Sequence, residues 1–268
     1  MSKIEINHLT VDYTEKKKSF TALKDVSFSI EEGEFVSVIG SSGCGKSTLL
    51  SILEGINTPT DGEILINGER IKGTGTDRGV VFQHYSLFPW MTARKNVAFG
   101  IKQVNHSASR SERYKIADEF LDKVGLEQFK NKYPSQLSGG MQQRVAIARA
   151  LAMDTDILLM DEPFGAIDAK NRTILQELLL ELWEGATPRK TVVFVTHDID
   201  EAILLSDKIV MMTANPGRVY RELKVPFDRP RNRSKLVQTG AYNKFRNDLL
   251  SLFYSDIADK IGGEEVVL

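Results

Sequence analysis

Among 268 residues there is one cysteine, Cys44. An intramolecular disulfide is therefore impossible, and the cysteine content fits a reducing compartment. No apolar run approaches the roughly 18 residues that a membrane-spanning helix needs. The opening residues, MSKIEINHLTVDY, alternate polar and apolar and lack the apolar core of a signal peptide. The chain is thus expected to be soluble, or held at a membrane by something else. Neither sign of charge dominates: 35 Lys and Arg face 36 Asp and Glu, a formal net charge of −1. Bulk electrostatics gives no reason to expect nucleic acid as a partner, and the run Lys16-Lys17-Lys18 reads as a solvated loop. Repeats and low-complexity segments are missing too. What is present is ordinary globular composition, 41% hydrophobic and 26% charged, enough apolar content for a sizeable core. The length fits one large domain, or one domain with a subdomain and a tail.

The first third reads as strands, from Ile4, Ile6 and Leu9 through ALKDVSFSI to EFVSVIG. GEILINGER carries Asn67-Gly68, a hairpin-turn signal between strand residues. GVVFQ is a short apolar run that stops on Gln83. From about Thr92 to Ala152 apolar residues fall three and four apart, as in helices. Strands and helices then alternate: DILLMDEP, NRTILQELLLELW, TVVFVTHD, IDEAILLSD and KIVMMT. That alternation implies a parallel sheet with crossovers. Beyond Pro216 the pattern weakens, PFDRPRNRSK reads as a linker, and YNKFRNDLLSLFYSDIADKI reads as a terminal helix.

Gly40, Ser41, Ser42, Gly43, Cys44, Gly45, Lys46, Ser47 and Thr48 fit the phosphate-loop pattern G-x-x-x-x-G-K-[ST] in full, between an apolar strand and a helix. The glycines let backbone N–H groups turn onto phosphates, and the helix that follows offers its positive N-terminus to the same charge. Lys46 is placed to reach the terminal phosphates and Ser47 to ligate Mg²⁺. Asp161 and Glu162 close the apolar strand ILLM, at the sheet edge where ligands bind. Asp161 is the candidate for the Mg²⁺ hydration shell, and Glu162 for polarising an attacking water. His197 ends another apolar strand at the same edge, where an imidazole can hydrogen-bond a γ-phosphate. Gln83 offers an amide to Mg²⁺ or the water. Cys44, near a helix N-terminus and Lys46, is expected to have a lowered thiol pKa. If this loop serves an ATPase, alkylation of Cys44 should block it, with ATP protecting.

GSSGCGKST, VVFQ, LSGGMQQR, LLMDEPFGAID and VTHD occur in that order and at suitable separations. Together they resemble the nucleotide-binding subunits of ATP-binding cassette (ABC) transporters, over about residues 4 to 225. The resemblance implies an α/β fold: a P-loop NTPase core, mostly parallel sheet with flanking helices, plus an N-terminal antiparallel β part and a helical subdomain. The ATPase domain is expected over 1–225, with the subdomain inserted at about 88–155, and 226–268 as linker and helical tail. It also implies ATP hydrolysis by a head-to-tail homodimer that buries two ATP molecules, with Mg²⁺. Each ATP is then held by the phosphate loop of one copy and, from the other, the signature motif with Ser138, Gly139, Gly140 and Gln142. Asp168, in GAID, matches the D-loop along the dimer interface; Ile167 stands where the family more often has Leu. Tyr13 resembles the aromatic that stacks on adenine, with Phe20 a nearby competitor.

VFQHYSLFPWMTARKNVAFG, DEPFGAIDAKNR and VTHDIDEAILLSD look most like the ATPases of nitrate, sulfonate and taurine importers. This implies transmembrane permease subunits as partners, an extracytoplasmic solute-binding protein as an indirect one, no nucleic acid, and a peripheral place on the cytoplasmic face of the membrane. Phe88, Pro89, Trp90 and Met91 are candidates for the permease contact, or else for subdomain core. The alternatives are an exporter or lipid-extraction ATPase, and a soluble non-transport ABC ATPase. A regulator that binds but does not turn over ATP is disfavoured by Glu162 and His197.

Overall fold

A computed structural model of the protein describes residues 2–15, 18–165 and 167–261. Lys16 and Lys17 of the basic run lie outside these residues, as does the end of the tail, 262–268.

Two sheets organise the chain. The first has the order β2-β1-β4-β5, built from β1 (Ser2–Glu15), β2 (Lys18–Glu31), β4 (Asp61–Ile66) and β5 (Glu69–Arg70). All its neighbours are antiparallel. Asn67 and Gly68 join β4 to β5 with φ of 52° and 78°, the paired positive angles that a type I′ hairpin requires.

The second sheet has the order β10-β9-β3-β8-β7-β6. Its parallel strands are β3 (Phe35–Gly40), β6 (Arg78–Val81), β7 (Ile157–Asp161), β8 (Thr191–Thr196) and β9 (Lys208–Thr213). They read as unbroken apolar runs because both faces are covered. Val36, Val38, Leu159, Val193 and Val195 pack toward the antiparallel sheet and α1 (Lys46–Leu53). The alternate residues Phe35, Leu158, Met160, Val192 and Phe194 pack on Leu175, Leu179 and Trp183 of α5 (Ala169–Glu184).

Three helices, α2 (Ala93–Val104), α3 (Arg110–Lys123) and α4 (Gly139–Ala152), share a core of their own around Val97, Leu121 and Val145. Thr92, Ser109 and Ser138 cap their N-termini with side-chain oxygens. The described residues end on α6 (Ile199–Leu205), α7 (Arg233–Leu236) and α8 (Gly240–Ile261), the last packed against α6.

The weak pattern beyond Pro216 conceals a strand. β10 (Arg218–Lys224) pairs antiparallel with β9 at the sheet edge. Most of its residues are exposed and its register shifts between Val219 and Arg221, so the alternation that marks a half-buried strand is lost. The linker segment carries no regular structure before α7, yet it is fastened. Arg229 donates to Asp207 Oδ1 at 2.6 Å and to Glu184 Oε1 at 3.0 Å, and stacks over Trp183.

Candidate nucleotide site

β3, β7 and β8 are parallel, so their C-terminal ends meet at one edge, and the loops that leave them meet there too. The loop after β3 turns into α1 at Gly45, whose φ of +92° suits glycine and which provides no side-chain cap. The first N–H groups of α1 are therefore left for an anion. Lys46 is buried and its Nζ donates to Gly40 O at 2.7 Å, with Ser41 O at 3.4 Å.

A cleft of about 390 Å³ opens over this loop, lined by residues 42–48 and by Tyr13, Phe20, Thr21, Ala22, Glu162 and Asn215. Tyr13 and Phe20 face each other across β1 and β2, ring centroids 5.6 Å apart. Both rings line the cleft, as one aromatic wall. An aromatic wall joined to a phosphate-type loop is the pair of surfaces that a nucleoside polyphosphate needs.

Acidic groups border the cleft. Burial pushes the Asp161 carboxyl above its ordinary range and the Glu162 charge adds to that, while Lys46 and a hydrogen bond from Ser47 pull it back. Hard oxygen donors at Ser47 and Asp161, on a carboxylate that gains from a nearby cation, fit Mg²⁺. Glu162 has φ of 40°, in the left-handed region that a glutamate rarely adopts. Its Oε2 lies 3.1 Å from His197 Nδ1. That distance puts the imidazole and the carboxylate in ion-pair range, and the contact leaves the other ring nitrogen, Nε2, unengaged.

A family model described as ABC transporter matches residues 23–165. The nitrate import ATP-binding protein NrtD of Synechococcus elongatus is 48% identical, over 89% of this chain and 87% of its own. The chain belongs to the ABC transporter family. This ABC ATPase is also 44% identical to the bicarbonate transport ATP-binding protein CmpD of Synechocystis sp., over 95% of this chain and 90% of that one. Among solved structures, the dimeric post-hydrolysis state of the ATP-binding cassette MJ0796 bound to ADP and Pi has a TM-score of 0.74 at 39% identity. It covers 84% of this chain and 100% of its own.

The remaining sequence candidates of this ABC ATPase lie elsewhere. Ser138 caps α4, its Oγ accepting from Met141 N at 3.3 Å, and Gln142 Nε2 donates to Leu137 O at 3.1 Å. Gly139 faces Tyr85, whose Oη would stand 2.6 Å from any Cβ there. Asp168 caps α5, accepting from Asn171 N at 3.1 Å, and Gly140 abuts the same Asn171. Ser138, Gly139, Gly140, Gln142 and Asp168 do not line the cleft of their own chain. Gln83 is exposed beyond the end of β6 and does not line it either.

Cys44 overturns an expectation. It is 1% exposed, and burial pushes its thiol up, outweighing the opposing pull of Lys46, whose Nζ is 3.8 Å from Sγ. Thr21, Ala22 and Asn215 of the cleft were not singled out from sequence. Asn-Pro-Gly at 215–217 is a turn signal, but nothing local ties it to the phosphate loop. The tie is a close approach: a Cβ on Gly217 would fall 2.2 Å from Cys44 O.

Proposed function

We propose that this ABC ATPase powers an importer for a small anionic or zwitterionic solute of the nitrate, sulfonate or taurine kind. It hydrolyses ATP at sites shared by two copies of the chain. The observation that carries the hydrolytic part is the Glu162–His197 contact of 3.1 Å at the border of the phosphate-loop cleft.

Tyr13 and Phe20 stack on adenine, and the N–H groups of the phosphate loop with Lys46 hold the phosphates. Ser47, Asp161 and Gln83 are the residues that would hold Mg²⁺, which would supply positive charge to offset that of the phosphates. Glu162 accepts a proton from the attacking water. His197 faces Glu162 through Nδ1 and offers Nε2 to the terminal phosphate.

A phosphate loop encloses its ligand from one side. Ser138, Gly139, Gly140 and Gln142 of a second copy close the other, with Asp168 at the seam. Their absence from the lining of their own cleft supports this, as does a solved relative described as dimeric. ATP then closes the dimer and hydrolysis reopens it, a population shift biased by the ligand.

Coupling to a permease falls to residues 88–91. Fully buried Asn96 holds that loop by accepting from Phe88 N at 2.8 Å and donating to Phe88 O and Met91 O. Trp90 is left 68% exposed against Phe88. An exposed tryptophan on a fixed loop suits a protein contact better than a core role. Among the described residues no helix is long and apolar enough to cross a membrane, so attachment to the cytoplasmic face runs through the permease. The solute class rests on relatives named for nitrate import and bicarbonate transport.

Glu162→Gln tests the hydrolytic assignment. Turnover should fall by about a hundred-fold or more, and an ATP-bound dimer should accumulate in size-exclusion chromatography. Parental turnover in that variant defeats it.

A further inference from the structure

Beyond residue 226, Arg229, Arg231, Tyr242 and Arg246 make polar contacts with α6 or with the two residues that follow it, and α6 begins two residues after His197. Asp200 Oδ1 accepts from Tyr242 Oη at 2.6 Å and from Arg246 Nε at 2.7 Å. These two donors stand four residues apart, on one face of α8. Glu201 is 5% exposed and accepts from Thr196 Oγ1 at 2.6 Å and from Gln176 Nε2 at 2.9 Å. Gln176 Oε1 in turn accepts from Arg233 of α7. Thr196 immediately precedes His197, and its Oγ1 also accepts from Asp198 N at 3.0 Å. The far end of α6 is closed by Arg231, which donates to Ser206 O at 2.6 Å and to Ile203 O at 3.0 Å. Along its side, α6 packs Ile199, Ala202 and Ile203 against Tyr242 and Leu249 of α8. Further along α8, Leu252 and Phe253 come up beside Ser41 of the phosphate loop.

We propose that the C-terminal segment is a brace that sets the position of His197 against Glu162, with Asp200, Tyr242 and Arg246 as positioning residues. The proposal rests on the assignment of Glu162 and His197 above. α6 is a short helix of seven residues, and helices of that length hold their place by tertiary contacts rather than propensity. His197 itself is largely exposed, so its own packing does not fix it. The residues on both sides of it are fixed instead: Thr196 bonds Glu201, which Gln176 of α5 links to Arg233 of α7, and Asp198 pairs with Arg172 of α5 at 3.6 Å, while α8 fastens α6 itself through Asp200. Burial alone would raise the Asp200 carboxyl, but donation from Arg246 and Tyr242 holds it below its ordinary range, so the fastening uses the charged carboxylate.

The test is steady-state ATPase kinetics on the full chain. Tyr242→Phe combined with Arg246→Met should lower kcat about ten-fold while KM for ATP stays within about two-fold, as expected when orientation rather than binding is lost. Arg246→Lys in place of Arg246→Met should recover part of the rate. Tyr242→Phe alone removes a single hydroxyl and keeps the packing, and should give a smaller loss with the same split. Parental kcat in the double variant overturns the brace. So does a KM that rises in step with the fall in kcat, the mark of general loosening. His197→Ala separates the two layers: full turnover there defeats the assignment of His197. An inactive His197→Ala beside a fully active double variant defeats only the brace.

Discussion

Cys44 sits two residues before Lys46 and one before the residue that caps α1, a setting that lowers a thiol pKa where solvent also reaches it. Here the side chain turns inward, into the core beneath the antiparallel sheet, and desolvation of the thiolate wins. Iodoacetamide at neutral pH should therefore leave Cys44 unmodified in the native chain under conditions that label it fully in guanidinium chloride, as read by intact mass. Native labelling at the rate of a free thiol would contradict the burial argument. Residue type and spacing alone cannot report which way a side chain points. The same holds for Glu162 and His197: each is legible because it closes an apolar run, but their contact depends on β7 and β8 lying side by side. The backbone of Glu162 is held in its left-handed conformation by Glu162 N donating to Val195 O and Gly165 N donating to Glu162 O, at 3.0 and 3.1 Å. A non-glycine residue there costs of order 1–3 kcal/mol, which strand neighbours supply and no local pattern announces.

α1 carries a feature of its own at its far end. Glu54 is its C-cap, in right-handed geometry, and a carboxylate at a helix C-terminus meets the negative end of the dipole. Burial, then the Asp161 charge, pushes it from 4.5 up to about 6. The folded chain thus holds this proton more tightly than the unfolded one. The corresponding stability is fully present below pH 4.5 and is lost as pH rises through about 6. Glu54→Gln should raise Tm at pH 8, with the advantage shrinking to nothing toward pH 4.5, as followed by thermal denaturation across that range. A lower Tm at pH 8, or a difference independent of pH, would count against this. At this scale most of the fold is legible. Parallel strands buried on both faces announce themselves by composition, and α2 to α4 by the period of their apolar residues. β10 escapes because an exposed edge strand rich in Arg, Glu and Lys, with a shifted register, has no face to encode. Terminal α8 is readable as a helix, but its seat on α6 is not, because Asp200 and Arg246 are 46 residues apart in sequence.

At the scale of the whole molecule, the parallel sheet brings the phosphate loop, Asp161, Glu162 and His197 to one edge, while α4 starts its own N-terminus away from that cleft. The proposed dimer is the arrangement in which the phosphate-loop cleft of one copy and the α4 N-terminus of the other are used together. That arrangement makes a prediction no single-chain site shares. Ser138→Arg places a long cation at the signature end and should abolish turnover while leaving nucleotide binding to the phosphate loop intact. Lys46→Ala should abolish turnover by emptying the phosphate loop of its charge. A mixed dimer of the two variants contains one composite site with both halves intact: the phosphate loop of the Ser138→Arg chain facing the signature of the Lys46→Ala chain. Its second site is doubly broken. Mixing the two inactive proteins should therefore restore up to about a quarter of parental turnover per chain, since about half of randomly paired dimers are mixed and each has one of two sites. ATPase assays over a titration of one variant into the other should peak near equal amounts. If each site were built within one chain, every site in every dimer would be broken and the mixture would stay as inactive as its parts.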